Sequence, residues 1–165
     1  MSRTVPGSGT AASHLSPVQI GRAETIARSV LTLQTSGEGF FDITREAAHF
    51  LDRVKGADGI LLLFLRHTSA SLTIQENADP DVQTDLVTAL RRLAPADAGW
   101  VHDTEGPDDM PAHVKAMLNG VCLHVPVSGG RLGLGTWQGI YVAEHRRAPH
   151  RREVVLQFLG SCRDT

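Results

Sequence analysis

The chain has 165 residues, of which 41% are hydrophobic and 21% charged, with a formal net charge of −2. This balance is typical of one globular domain with a buried core, and it lacks the positive charge of most nucleic-acid-binding domains. No apolar run is long enough to cross a bilayer, and the first twenty residues contain no secretion-signal core. We therefore predict a cytoplasmic protein without nucleic-acid or membrane partners. Cys122 and Cys162 form no Cys-x-x-Cys pair, as expected in a reducing compartment.

The chain begins with a stretch that predicts no regular structure. Residues 1–20 are rich in Ser, Gly, Thr and Ala, with two prolines and no apolar period, so we predict a disordered leader. A single domain over residues 21–161 is expected to follow. β-branched residues between Glu24 and Gln34 predict its first strand, which ends at the turn Gly37-Glu38-Gly39.

A helix and a buried strand are predicted next. Asp42 or Thr44 can cap a helix whose apolar residues recur at helical spacing and which ends near Gly56. The apolar run from Gly59 to Arg66 then predicts a buried strand. A short strand around Leu72-Thr73-Ile74 follows it.

Two further helices are indicated by their start and stop residues. Asp79 as N-cap and Pro80 at the first helical position begin one helix, and Pro95 ends it. A shorter helix is expected from Pro111 to Leu118, closed by Asn119-Gly120.

The last third of the chain predicts β structure. Strands are expected over Val121–Val127, Leu132–Tyr141 and Glu153–Leu159, joined by short turns. Because strands and helices do not alternate regularly, we predict an α+β fold. It should be one compact domain with a mainly antiparallel β-sheet or sandwich and two to three helices.

His67 is the first candidate functional residue. It follows the buried strand and precedes the hydroxyls of Thr68, Ser69 and Ser71. An imidazole can bind a metal or move a proton near neutral pH, and hydroxyls with backbone N–H groups suit an anion such as phosphate. The alternative is a histidine hydrogen-bonded at a strand end, with hydroxyls that satisfy a turn.

The segment from His102 to His113 is the second candidate. It holds two histidines and four carboxylates around a Gly-Pro turn. Such a loop can aim both imidazoles at one ion, with Glu105 or Asp109 nearby. The alternative is a solvated acidic loop that caps the following helix. Three other histidines, His14, His49 and His124, are interpreted as structural or exposed.

The third candidate lies near the end of the chain. The glycine-rich stretch 132–139 matches neither a Walker A loop nor a dinucleotide fingerprint. After it, Glu144 stands among the arginines 146, 147, 151 and 152. Arginine forks bind phosphate, although a charged hairpin tip has the same composition.

Several of these segments together resemble the YjbQ-type family, whose members are often labelled secondary thiamine-phosphate synthases. The matching motifs are His67-Thr68-Ser69-Ala70-Ser71-Leu72-Thr73-Ile74-Gln75-Glu76-Asn77-Ala78-Asp79-Pro80-Asp81, Glu105-Gly106-Pro107-Asp108-Asp109-Met110-Pro111-Ala112-His113, Leu134-Gly135-Thr136-Trp137-Gln138-Gly139-Ile140, and Glu144 with the later arginines. The resemblance implies an α+β fold around an antiparallel sheet and a homotrimer. It also implies a weak thiamine-phosphate synthase activity, which joins an aminopyrimidine diphosphate to a thiazole phosphate and releases pyrophosphate.

The family's motif histidines and acid correspond here to His67, His102, His113 and Glu144, and His145 is not counted among them. We therefore expect the three histidines to meet in one pocket that binds a divalent metal, zinc or magnesium, with His67 and Glu144 also catalytic. The expected ligands of a phosphorylated substrate are Thr68, Ser69, Asn77, Trp137, Gln138, Arg146 and Arg151. The alternative function is a trimeric metal- or phosphate-ligand-binding module without turnover.

Overall fold

The structure is a computed structural model that describes residues 14–163. Within these residues the elements follow the order β1 (Thr25–Gln34), β2 (Gly39–Asp42), α1 (Thr44–Arg53), β3 (Gly56–Leu65), β4 (Ala70–Glu76), α2 (Pro80–Leu93), α3 (Asp109–Asn119), β5 (Cys122–Ser128), β6 (Arg131–Leu132), β7 (Gln138–Glu144) and β8 (Arg151–Cys162). The predicted leader lies outside the described residues up to position 13, and residues 14–24 form no helix or strand. None of the described helices is long and apolar enough to span a membrane.

The strands form two antiparallel sheets. One has five strands in the order β1-β8-β3-β5-β6, and the other has three in the order β2-β7-β4. All of the strand pairs are antiparallel. The predicted α+β fold is thereby confirmed, with three helices packed around mainly antiparallel sheets.

The hydrophobic core lies where the two sheets and α1 meet. Leu61, Leu63 and Leu65 are alternate residues of β3 and are almost fully buried. This is expected for a strand of which one face lies against the core, because successive side chains point to opposite faces of the sheet. They join one cluster with residues such as Val142 of β7 and Phe50 of α1. Each such side chain stabilises the fold by about 1.5–3 kcal/mol through burial. This packing fixes the ends of β3, β4 and β7, from which the candidate site residues extend.

The start of α2 agrees with its sequence signals, and the start of α1 agrees only in part. Asp79 is the N-cap of α2, and its Oδ1 accepts the N–H of Asp81 at 2.9 Å. The N-cap of α1 is Ile43 rather than the predicted Asp42 or Thr44, although Oδ1 of Asp42 accepts the N–H of Thr44 at 2.8 Å. Helix α3 begins at Asp109, two residues before the predicted start at Pro111.

Two strand predictions need correction. The single strand expected over Leu132–Tyr141 divides into β6 and β7, because Gly135 and Gln138 close a turn between them. The N–H of Gly135 donates to Oε1 of Gln138 at 2.8 Å, and the N–H of Gln138 donates to the Gly135 carbonyl at 3.0 Å. The four-residue strand β2 was not predicted, since it falls between a turn signal and a helix cap.

Candidate metal centre and its surroundings

Three ligand groups converge at the start of α3. His102, Asp109 and His113 each place one ligand atom within 4.8 Å of the other two. Asp109 Oδ2 lies 2.8 Å from Nε2 of His102 and 3.6 Å from Nε2 of His113. Asp109 and His113 are four residues apart on α3 and therefore share one helix face, while His102 comes from the preceding loop. We refer to these three residues as the His-Asp-His cluster.

The cluster is oriented by neighbouring groups. Nδ1–H of His113 donates to the Thr68 carbonyl at 3.0 Å, which leaves Nε2 directed at Asp109. Asp109 is 2% exposed, and its Oδ1 accepts a hydrogen bond from Arg146. Metal-binding histidines commonly donate their other ring N–H to a carbonyl, and metal-binding carboxylates are themselves hydrogen-bonded. The cluster has both features.

The donor set decides which metal would fit. Two imidazoles and one carboxylate suit zinc or a similar transition ion, whereas magnesium prefers oxygen ligands. Three protein ligands would leave a fourth position for water or a substrate atom, as in catalytic rather than structural zinc sites. His102 has 46% of its side chain exposed, so the centre is open on that side.

His67 lies outside this cluster. Its Nε2 accepts the backbone N–H of Glu153 at 3.0 Å, so the ring proton belongs on Nδ1. Burial, followed by the nearby Arg152 guanidinium, lowers the pKa of His67 below its usual value. His67 and His113 instead line a largely apolar cleft of about 560 Å³ together with Phe64 and Met117. The third member of the cluster is thus Asp109, where His67 was expected.

Glu144 sits at the end of β7 and is 1% exposed. Its carboxylate accepts hydrogen bonds from Arg152 at 2.6 and 2.7 Å, from the hydroxyl of Thr35 at 2.9 Å and from the N–H of Arg146 at 2.9 Å. Burial alone raises the pKa of Glu144, but these bonds outweigh it and the pKa is lowered. With both oxygens engaged, Glu144 organises its neighbours: Arg146 binds Asp109, and Arg152 binds Ser69.

Three of the four arginines of this region already have carboxylate partners for their side chains. Arg146 contacts Asp108 and Asp109, and Arg152 is paired with Glu144. Arg151, which is exposed, lies 2.6 Å from Glu153. Of these pairs, only that of Arg152 and Glu144 is fully buried on both sides.

The expected substrate ligands form two separate groups in the chain. Antiparallel pairing sets Ala70 of β4 beside Glu144, and Glu76 beside Gln138. Thr68 and Ser69 therefore precede one end of β4, while Asn77, Trp137 and Gln138 gather at the other, about 20 Å away at 3.3 Å per residue. The N–H of Asn77 donates to the Trp137 carbonyl at 3.1 Å, and the Trp137 side chain projects outward with 65% of the residue exposed.

Sequence reasoning missed a group of buried polar residues on the other side of α3. Lys115 is 4% exposed and its Nζ lies 2.6 Å from Oε1 of Glu38. His145 is 2% exposed and its Nε2 lies 2.9 Å from the Ser71 hydroxyl. Burial, with the Lys115 charge second, lowers the pKa of His145 to about 4. The one sequence signal that could have indicated this group is the position of Lys115 among the apolar residues of α3.

Comparison with known proteins gives consistent matches. The model of the YjbQ family, described as UPF0047 protein YjbQ-like, matches residues 29–161. A UPF0047 protein of Synechocystis is 44% identical over 134 residues, covering 81% of this chain and 91% of that protein. The UPF0047 protein YjbQ of Salmonella typhimurium is 44% identical over 131 residues, covering 79% and 95%.

Solved structures match as well. An uncharacterized conserved protein of the YjbQ/UPF0047 family from Clostridium acetobutylicum is 37% identical, with a TM-score of 0.74, and the match covers 79% of this chain and 98% of that one. A conserved hypothetical protein from Thermus thermophilus is 40% identical, with a TM-score of 0.69, and the match covers 77% and 97%.

Proposed function

The chain belongs to the UPF0047 family of YjbQ-like proteins, and we propose that it is a metal-dependent enzyme that acts on a phosphorylated small molecule. The observation that carries this proposal is the His-Asp-His cluster, in which a buried carboxylate and two imidazoles meet at an open position. Zinc or a similar ion would be held by His102, Asp109 and His113. When bound, such an ion supplies a Lewis acid for phosphate oxygens.

The reaction to test first is the one that the family resemblance implies. In thiamine-phosphate synthesis, the nitrogen lone pair of the thiazole phosphate forms a C–N bond to the pyrimidine methylene carbon. The C–O bond to the diphosphate breaks, and pyrophosphate leaves with that electron pair. Fixed positive charge near the departing group stabilises such a transition state.

The surrounding residues have defined roles in this proposal. His67 is neutral and holds its proton on Nδ1, so it offers a hydrogen-bond donor at the wall of the apolar cleft that it shares with His113. Glu144 acts as a positioning residue, because its oxygens already accept bonds from Arg146 and Arg152. Thr68 contributes through its carbonyl, which orients His113.

A second candidate function is metal or phosphate-ligand binding without turnover. Its support is the pairing of the arginines with carboxylates: Arg146 and Arg151 were expected to bind substrate, yet both have acidic partners. A pyrophosphate leaving group would have to compete with those carboxylates. A binding module carries no such requirement.

We also propose that the chain assembles as a homotrimer through the outer face of the five-stranded sheet. Val30, Val155, Phe64 and Cys122 form one row across four strands of this face. Phe64 is 42% exposed and Val30 is 45% exposed. Uncovered apolar patches of this kind typically mark association surfaces.

The enzyme proposal is tested by measuring bound metal and pyrophosphate release for the wild type and His102→Ala. His102 is half-exposed, so its removal should leave the fold intact, and we expect loss of both metal and turnover. His49→Ala is the matched control, since His49 is exposed on α1 and lies outside the cluster. Metal binding without pyrophosphate release in the wild type would favour the binding module, and metal retention by His102→Ala would contradict the assigned centre.

The homotrimer is tested separately by light scattering. We expect a mass of about three chains for the wild type and a smaller mass for Phe64→Lys, which places a charge on the outer sheet face. A monomeric wild type would refute the assembly and leave the metal centre untouched.

A further inference from the structure

A second, smaller cleft lies on the side of α3 that faces away from the His-Asp-His cluster. Lys115 follows His113 by two residues, so the two side chains point in directions about 200° apart around the helix. The cleft has a volume of about 290 Å³ and lies between α3, the end of α2 and the loop that carries Glu38. None of the roles proposed above uses it.

Lys115 supplies a buried ammonium group to this cleft. Its side chain is 5% exposed, and its Nζ donates to Oε1 of Glu38 at 2.6 Å. An ammonium group has three N–H donors, and Glu38 is its only side-chain partner among the described residues. A buried cation of this kind is costly unless it has anionic partners. The remaining donors can serve a bound anion.

His145 supplies a neutral N–H donor. The Ser71 hydroxyl accepts a bond from Asn119 at 3.1 Å, and Nε2 of His145 is the only acceptor for the hydroxyl's own proton among the described residues, so that proton is directed at Nε2. This pattern assigns the ring proton to Nδ1. Nδ1 has no protein partner among the described residues, and no fully buried polar side-chain atom of those residues lacks one. Nδ1–H of His145 therefore reaches the surface of the cleft, which His145 lines.

Two guanidinium groups complete the basic lining. Arg91 binds Oε2 of Glu38 through Nε at 2.7 Å, which leaves its terminal nitrogens available. Arg147 lines the cleft, and its backbone N–H donates to Oδ2 of Asp108 at 2.8 Å, but its guanidinium has no carboxylate within 4.0 Å among the described residues. The position of the Arg147 backbone depends on Gly37. The φ of Gly37 is +126°, and a Cβ at this residue would lie 2.7 Å from the Arg147 carbonyl oxygen.

Two of the three acidic residues that line the cleft already have basic partners. Glu38 is shared by Lys115 and Arg91, and Asp108 is paired with Arg146 outside the cleft lining. Asp97 is the remaining carboxylate, at an exposed position. The donors that stay available are those of Lys115, Arg91, Arg147 and His145.

We propose that this cleft is a second ligand site, which binds the phosphate group of a small phosphorylated molecule. Lys115, Arg147 and Nδ1–H of His145 donate to the phosphate oxygens, as guanidinium and ammonium groups do in phosphate sites. Glu38 is the internal anion with which the phosphate competes. The site requires no metal and is independent of the enzyme proposal.

The test is calorimetric titration of chelator-treated protein with inorganic phosphate and with pyrophosphate, so that no metal contributes. We expect saturable binding by the wild type and about tenfold weaker binding by Arg147→Gln, the loss of one charge-assisted contact. Glu38→Gln should bind more tightly, because it frees donors of Lys115 and Arg91. This opposite change separates a specific site from a general loss of stability.

A matched control keeps the result specific. Arg53→Gln removes an exposed arginine of α1 that lies outside the cleft, and it should bind phosphate like the wild type. The proposal fails if the wild type shows no saturable binding up to about 10 mM, a weak affinity for a small-molecule site. It also fails if Arg53→Gln weakens binding as much as Arg147→Gln, or if Glu38→Gln weakens it.

Discussion

Replacing the buried His145 by glutamine should make the protein less sensitive to mild acid. The imidazole is 2% exposed and bonded to Ser71 through Nε2, and the amide of glutamine can reach a similar position. The groups that act on His145 are Lys115 and Arg152, which lower its pKa, and Glu144 and Glu38, which raise it. Burial dominates and keeps the ring neutral.

The magnitude follows from the two pKa values. His145 has a pKa of about 4 in the folded protein against an ordinary value of 6.5, so the unfolded chain binds its proton more readily. The contribution of the neutral ring is complete above pH 6.5 and is lost as the pH falls towards 4. At about 1.4 kcal/mol per pH unit, the loss reaches ~2 kcal/mol at pH 5 and ~3 kcal/mol at pH 4.

Urea unfolding at pH 7, 6 and 5 measures this effect before most carboxylates titrate. Between pH 7 and pH 5, the free energy of unfolding of the wild type should fall by about 2 kcal/mol more than that of His145→Gln. His49→Gln is the control, since His49 is exposed on α1, and it should follow the wild type. Parallel curves for the wild type and His145→Gln would refute the assignment of a buried neutral imidazole.

Three further substitutions test a buried ion pair, a helix cap and a close contact between strands. Glu144→Gln leaves the buried Arg152 guanidinium without its carboxylate. The free energy of unfolding should therefore fall by about 3–5 kcal/mol, and the metal affinity should fall as well. An unchanged urea midpoint together with an unchanged metal affinity would contradict the positioning role of Glu144. Asp79→Ala removes the cap of α2 and should lower the free energy of unfolding by about 1 kcal/mol, measured by thermal unfolding against Asp85→Ala, an exposed aspartate of α2 beyond its first turn. Gly160→Ala should cost at least about 2 kcal/mol, because its Cβ would lie 2.2 Å from the Asp58 carbonyl; a stable variant by calorimetry would show that the strand can shift.

Local signals in the sequence determined most of the secondary structure. Asp79 and Pro80 predicted the start of α2 because a cap and a fixed φ act within one turn of helix. The α+β class followed from the order of such signals along the chain. The sequence also predicted that the loop containing His102 and His113 can aim both imidazoles at one ion near Glu105 or Asp109, and the structure places both beside Asp109, since all three residues lie within one short segment.

The tertiary structure decided which residues lie beside His102 and His113: Asp109 does, and His67 does not. Antiparallel registration of β4 with β7 puts Trp137 at one end of the strand pair and Glu144 at the other, a long-range pairing that no local pattern encodes. The hydrogen bond from the Glu153 N–H fixes His67 beside β8 and away from the cluster. Burial of Lys115 and His145 likewise arises only when α3 packs against β4 and the end of β7, because the solvent exposure of a side chain depends on residues distant in sequence.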